Sequence, residues 1–202
     1  MKTVVIATNN AHKVAEITTA LDFEGWEFKT LREAGLVSDP EEDAGTFEGN
    51  ARIKALAARA AAEEALGHPV AALADDSGLE VDALGGAPGV YSSRYAGADG
   101  DDAANNAKLL RELAGVADAD RAARFVCTLV FVDEDGSETV ARGTIEGRIG
   151  HEERGSEGFG YDPLFLPDAF DDGRTLAEVS QDDKNAISHR GNALRQLREL
   201  LG

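Results

Sequence analysis

Two aspartates, Asp75 and Asp76, follow the apolar run Val70 to Ala74 and precede Ser77-Gly78. Adjacent carboxylates at the end of a strand are costly to crowd unless a cation or hydrogen-bond donors stabilise them. A hard divalent metal does so. Mg²⁺ takes few carboxylates and fills its other positions with water and phosphate oxygens, so Glu42 with Asp75, Asp76 or both forms a credible Mg²⁺ site. The competing interpretation is an Asx-type turn leading into Ser77-Gly78, with no ligand.

Two further groups of residues suit an anion. Thr8-Asn9-Asn10-Ala11-His12-Lys13 lies between a strand-like run and a helix, where unpaired backbone N–H groups and the helix dipole favour negative charge. Lys13 adds a mobile cation there. The Gly-rich spacing of a P-loop is absent, and taken alone the run is more simply an ordinary helix cap. Asn50 and Lys54 are four residues apart, so a helix sets them on one face, with Glu48 and Glu42 just upstream. A second phosphate contact fits that face; a solvated helix with unrelated charges is the alternative. The chain has only six lysines, and Lys13, Lys54 and Lys184 all fall in polar clusters, which weakens that alternative.

Further along, Phe159 and Tyr161 flank Gly160 beside Asp162, a short loop able to offer an aromatic face to a base and polar groups to its edge or to a ribose. Core packing is the usual fate of such aromatics. Lys184, Ser188, His189 and Arg190 gather near the last helix, where the planar fork of Arg190 can donate to a purine carbonyl and N7. Surface placement is the ordinary alternative. His12, His68 and His151 lack metal-ligand spacing, Cys127 has no partner cysteine, and no Gly-x-Ser-x-Gly elbow occurs, so zinc and serine-hydrolase chemistry find no support.

The elements that must carry these groups alternate between strand and helix. Thr3 to Ala7 predicts a buried strand, followed by a turn and a helix with Val14, Ile17 and Leu21 on its apolar face. A helix is expected from about Phe47 to Leu66, started by Thr46 and stopped by Gly67 and Pro69. The strand Val70 to Ala74 should then end at the two aspartates. After the loop at Gly85 to Gly89, a helix is expected near Asp101 to Leu113, then strands Arg124 to Val132 and Glu138 to Ile149 joined at Asp135-Gly136, a hairpin signal. The chain closes in a helix bearing Ile187, Leu194, Leu197 and Leu201 on one side. The class is mixed α/β. With 202 residues, 43% of them hydrophobic, one domain spanning 1–202 is expected, with a separate lobe at about residues 120 to 150 as the alternative.

Composition narrows the partners. Acidic residues number 38 against 20 basic ones, for a formal charge of -18, which disfavours a nucleic-acid strand because phosphate backbones are bound by basic patches. Cys127, within an apolar run, is expected to be a buried structural thiol. No apolar stretch approaches the roughly 20 residues a membrane helix needs, and Met1-Lys2 leads into a strand without a signal-peptide pattern, so a cytoplasmic protein is expected.

Taken together, Thr8 to Lys13, Thr46-Phe47-Glu48-Gly49-Asn50-Ala51, Ala74-Asp75-Asp76-Ser77-Gly78-Leu79, Gly85 to Tyr95, Phe159-Gly160-Tyr161-Asp162 and Ser188-His189-Arg190-Gly191 resemble the inosine/xanthosine triphosphate pyrophosphatase family. The motifs run in order over nearly the full length; each is weak, and the combination is specific. The resemblance implies an elongated, two-lobed α/β fold with a long central mixed sheet flanked by helices, a nucleotide cleft between the lobes, and usually a homodimer. It implies Mg²⁺-dependent conversion of ITP, dITP or XTP to the monophosphate and pyrophosphate. Carried over by position, Thr8, Asn9, Asn10, Ala11, His12, Lys13 and Lys54 hold the phosphates, and Ser77 contacts substrate. Glu42 and Asp76 bind the metal with support from Asp75, and Asp76 is the general base. Phe159, Gly160, Tyr161, Asp162, Lys184, His189 and Arg190 form the base pocket. Asn10 and the acid-rich surface depart from the family pattern. Two rivals stand beside this expectation: a pyrophosphatase for modified pyrimidine or methylated guanine nucleotides, and a nucleotide sensor without catalysis.

The acid excess also suits a protein solvated for a high-salt cytoplasm, against the alternative of an ordinary acidic protein. On the high-salt reading, activity and folding rise from low to multimolar KCl; an activity that falls steadily along the same series assigns the charge to solubility alone.

Overall fold

Val4, Val5 and Ile6 are fully buried, as befits a strand covered on both faces, and they form the centre of β1 (Lys2–Ile6). The computed structural model describes residues 1–8 and 10–202, and at positions 11, 12, 181 and 182 the backbone alone. β1 pairs parallel with β2 (Trp26–Thr30) and with the start of β3 (Ala71–Val81). The sheet continues through β4 (Ala122–Val132) and β5 (Glu138–Ile149) to the short β6 (Phe165–Pro167), which pairs antiparallel with β5, in the order β2-β1-β3-β4-β5-β6. The helices are α1 (Ala11–Ala20), α2 (Phe47–Leu66), α3 (Asp102–Glu112), α4 (Gln181–Ile187) and α5 (His189–Leu201). The α/β class and the mixed sheet expected from the sequence are both found.

By its internal contacts the chain forms two compact units. The first comprises Met1–Asp76, Cys127–Gly143 and Gly191–Gly202. Alternation along its strands sends side chains to opposite faces. Val4, Ile6 and Leu73 pack with Ile17, Leu194 and Leu197, the side of α1 and α5. Val5 and Ala72 pack with Ala58 and Ala62, and Ala74 with Ala51 and Ala55, the side of α2. Small residues along α2 let that helix lie close to the strands. The second unit comprises Ser77–Val126 and Thr144–Arg190, and its core joins Leu79, Leu109, Leu113, Phe125, Ile145, Leu164 and Phe165. Residues 120–150 therefore do not form a lobe of their own; the β4–β5 turn, with Asp133 N–H donating to Ser137 O and Gly136 N–H to Asp133 O, belongs to the first unit and the outer halves of both strands to the second.

Three expectations need correction. β2 was not foreseen: Trp26 and Phe28 alternate with Glu27 and Lys29, a pattern too short to stand out, and the strand forms because β1 offers an edge and both aromatics pack on the first core. β3 does not stop at Ala74 but carries Asp75, Asp76, Ser77 and Gly78 in mid-strand. The last helix is two helices, since Ser188 is extended at φ -62 and ψ 150. Consequently Ile187 joins the second core while Leu194, Leu197 and Leu201 join the first.

The boundaries of α2 match the expected Phe47 to Leu66 because its cap is local: Thr46 is extended and its side-chain oxygen accepts from Gly49 N–H at 3.1 Å. Thr46→Ala should cost about 1 kcal/mol, read as a lower urea midpoint at unchanged slope. An unchanged midpoint would show that the cap contributes nothing.

Candidate active site

The first cluster is built where β3 meets α1 and α2, within the first unit. Successive residues of a strand face opposite ways, so Asp75 and Asp76 diverge rather than crowd each other. Asp75 follows Leu73 onto the α1 side, where Lys13 Nζ lies 2.7 Å from its Oδ1. Asp76 follows Ala74 onto the α2 side. There Lys54 Nζ reaches Asp76 Oδ1 at 2.8 Å and Glu42 Oε2 at 3.0 Å. Asn50, one turn before Lys54 on the same helix face, donates to Asp76 Oδ2 at 3.4 Å and accepts from Ala44 N–H at 3.0 Å, which ties the chain near Glu42 to the helix. The Asx-turn alternative for Asp75-Asp76 falls with the turn itself.

Both aspartates are buried, Asp76 at 9% exposure. Burial pushes the Asp76 carboxyl above the usual carboxylate range; Lys54 pulls it back, and Glu42 and Asp75 push it further up. Burial also works against the Lys54 ammonium, but Asp76, Asp75 and Glu42 outweigh it and raise its pKa. Carboxylates outnumber ammonium groups in this cluster, so it retains negative charge that a cation can neutralise. Among the described residues no three metal-ligating side chains already converge. A hard divalent cation does not need such a cage: one or two carboxylates, completed by water and phosphate oxygens, suffice. Glu42 and Asp76, already sharing one ammonium group, fit that requirement.

At the start of α1, Thr8 Oγ1 accepts from Asn10 N–H at 3.2 Å and Asn10 Oδ1 from Lys13 N–H at 3.3 Å. This is a helix cap that also aims Lys13 at Asp75. Asn9 and the side chains of Ala11 and His12 lie outside the described residues. Glu48 turns away to Arg52 at 2.7 Å. Ser77 is half-buried in β3.

The second cluster lies within the second unit. Asp162 is buried, and its Oδ2 accepts from Phe159 N–H at 2.9 Å and from Lys184 Nζ at 2.5 Å. Burial raises the Asp162 pKa, against the lowering pull of Lys184 and the Phe159 N–H. The two aromatics of the loop part company: Phe159 is 47% exposed, with Lys184 Nζ 4.8 Å above its ring, whereas Tyr161 is 4% exposed and donates its hydroxyl to Ser92 O at 2.8 Å. One ring is available to a ligand and the other is core. His189 stacks on Phe125 with ring centroids 5.1 Å apart. Ser188, His189 and Arg190 are buried rather than on the surface. The Lys184 ammonium, set over an exposed ring, can donate a hydrogen bond to a flat, carbonyl-bearing ligand.

Several residues of this cluster escaped sequence reasoning. Gly158 has φ +78, and a Cβ there would stand 2.1 Å from Asp162 Oδ2 and 3.1 Å from Lys184 Nζ, so the ion pair requires glycine. Asp102 Oδ2 accepts from Gly160 N–H at 2.7 Å and Asn106 Nδ2 donates to Gly160 O at 3.1 Å. The signal for Asn106 was its place inside a helix, where asparagine is disfavoured unless its side chain has work elsewhere.

The profile of the Ham1 family matches residues 4–200 of this chain. A dITP/XTP pyrophosphatase of Exiguobacterium sibiricum is 48% identical over 198 residues, covering 98% of this chain and 96% of that protein. One of Bacillus subtilis is 46% identical over 202 residues, covering 100% and 98%. The solved structure of a HAM1 protein from Coxiella burnetii superposes with a TM-score of 0.87 at 42% identity, covering 100% of this chain and 98% of that one.

Lys184→Met removes the ammonium group from the buried Asp162 and should cost about 3–5 kcal/mol of stability near neutral pH. A carboxyl whose folded pKa is raised contributes stability below its unfolded pKa and loses it as pH rises through the folded value. The deficit of the variant relative to the parent should therefore shrink from about pH 8 to about pH 5, measured by urea unfolding. A deficit that is constant or grows over that range contradicts the pairing.

Proposed function

This chain belongs to the Ham1 family, and we propose that it hydrolyses noncanonical purine nucleoside triphosphates, namely ITP, dITP and XTP, to the monophosphate and pyrophosphate. The observation that carries this is the Lys54 ammonium shared by Glu42 and the buried Asp76. The names of the relatives at 48% and 46% identity support the substrate class. The reaction removes deaminated purines from the nucleotide pool before they enter DNA or RNA.

Glu42 and Asp76, supported by Asp75, would hold Mg²⁺, which supplies charge neutralisation on the phosphates when bound. Asp76 orients a water molecule and takes its proton as the oxygen attacks phosphorus. The bond between the α- and β-phosphoryl groups breaks with its electron pair on pyrophosphate, and Lys13 and Lys54 stabilise the charge that develops there. Thr8, Asn10 and the α1 N-terminus would hold phosphate oxygens, together with Asn9, Ala11 and His12, and Ser77 would contact the substrate.

For the base, the exposed face of Phe159 offers stacking, while Gly160, Tyr161, Asp162 and His189 shape the pocket around Lys184 and Arg190. Donors from Lys184 and Arg190 suit the six-keto group of hypoxanthine and xanthine. Adenine presents a six-amino donor to those donors, and each buried polar group left unpaired costs about 1–3 kcal/mol, which corresponds to rejection of about ten- to a hundredfold per contact. Among the described residues no helix is long and apolar enough to cross a membrane. A cytoplasmic homodimer with nucleotides as its partners is in keeping with this function.

Pyrophosphate release from ITP, XTP, GTP and ATP, with Mg²⁺ present or chelated, tests the proposal. Metal-dependent release from ITP and XTP is expected, and Asp76→Asn should abolish turnover while nucleotide binding persists. Full activity in that variant would remove Asp76 from the chemistry. A folded parent protein inert toward all four would leave a sensor or a modified-nucleotide enzyme.

A further inference from the structure

We infer that Asp102 and Asn106 of α3 are positioning residues that set base preference by gripping both peptide groups of Gly160. The inference rests on residues 159–162 being the base-reading loop.

Gly160 sits at φ +61, a left-handed backbone that side chains rarely adopt, between the exposed Phe159 and the core residue Tyr161. Its N–H donates to Asp102 Oδ2 at 2.7 Å, and its carbonyl accepts from Asn106 Nδ2 at 3.1 Å. Asp102 and Asn106 are four residues apart, hence neighbours on one helix face. One rigid element thus fixes the peptide plane before Gly160 and the plane after it, leaving its φ and ψ no freedom. Those two angles determine how the Phe159 ring is directed relative to Asp162 and Lys184.

Asn106 is difficult to explain on stability grounds alone. It is 3% exposed in a helix interior, and its Oδ1 is buried with no hydrogen-bond partner among the described residues. An apolar residue would suit the site better but for the donor to Gly160 O. The surroundings make the clamp stiff. Asn105 donates to Ser93 O at 3.0 Å and accepts from Ala96 N–H at 2.7 Å, while Tyr161 Oη donates to Ser92 O at 2.8 Å. Helix α3, the 92–96 segment and the 159–162 loop are therefore joined in one hydrogen-bonded network, all within the second unit.

The test compares kcat/KM for ITP and for ATP, by pyrophosphate release, in Asp102→Ala and Asn106→Leu. The ITP-to-ATP ratio should fall at least about tenfold, the scale of one lost specificity contact, with KM for ITP rising more than kcat falls. Asp102→Asn keeps an acceptor for Gly160 N–H and should restore the ratio. Asp101→Ala is the control: it removes the α3 cap on Ala104 N–H, 3.0 Å away, and should lower Tm while the ratio holds. If Asn106→Leu does not fold, Asp102→Ala, an exposed position, decides alone. An unchanged ratio in folded Asp102→Ala, or an equal fall in Asp101→Ala, overturns the inference. Phe159→Ala separates the two levels. If it shifts the ratio while the clamp variants do not, the base loop stands and the clamp fails; if it leaves the ratio untouched, the base-loop assignment fails and the clamp inference falls with it.

Discussion

The contact on which the first cluster depends is the Lys54 ammonium held between Asp76 and Glu42 beside a buried strand. Burying a lone carboxylate in β3 would be prohibitive, so Asp76 exists there because α2 delivers a cation to it. The raised pKa of Asp76 shows that this compensation is incomplete. Desolvation, together with Glu42 and Asp75, outweighs what Lys54 returns. A buried ion pair of this kind adds little net stability over apolar residues of the same size. It holds an oxygen-rich, negatively charged patch next to the paired Lys13 and Lys54 ammonium groups.

The second unit repeats the principle with other elements. Asp162 is buried, its pKa is raised by desolvation, and Lys184 and a backbone N–H answer it. Here the pair supports a loop rather than joining two elements through a shared ammonium group. Gly158 makes room for it, α3 restrains Gly160, and the outcome is a single aromatic face turned to solvent in a loop otherwise committed to the core. Three of the six lysines in a chain of charge -18 are spent on these two pairs and on Asp75. In so acidic a protein each ammonium group placed beside a buried carboxylate is a specific choice.

Much was legible in the residues themselves wherever the determinants are local. The extent of α2 follows from a Thr cap and a Gly stop, both readable within a few residues. The α/β class follows from periodicity, and the candidate groups follow from residue type: scarce lysines in polar clusters, paired aspartates after an apolar run, aromatics around a glycine. The order of the motifs carried the family resemblance.

What only the tertiary structure decided was where each side chain points and which groups share a neighbour. Asp75 and Asp76 look like a crowded pair in sequence, yet β3 runs on through them beyond its pairing with β1, with β4 as its other neighbour in the sheet, and the strand's alternation sends one to α1 and the other to α2. Phe159 and Tyr161 are equivalent by type, and only packing exposes one and buries the other. The break at Ser188 and the strand β2 likewise depend on cores and edges supplied by distant segments. Local propensity acts over a few residues, whereas burial and strand pairing depend on parts of the chain far apart in sequence, and that is why the sequence determined the cast of residues and the fold determined their partners.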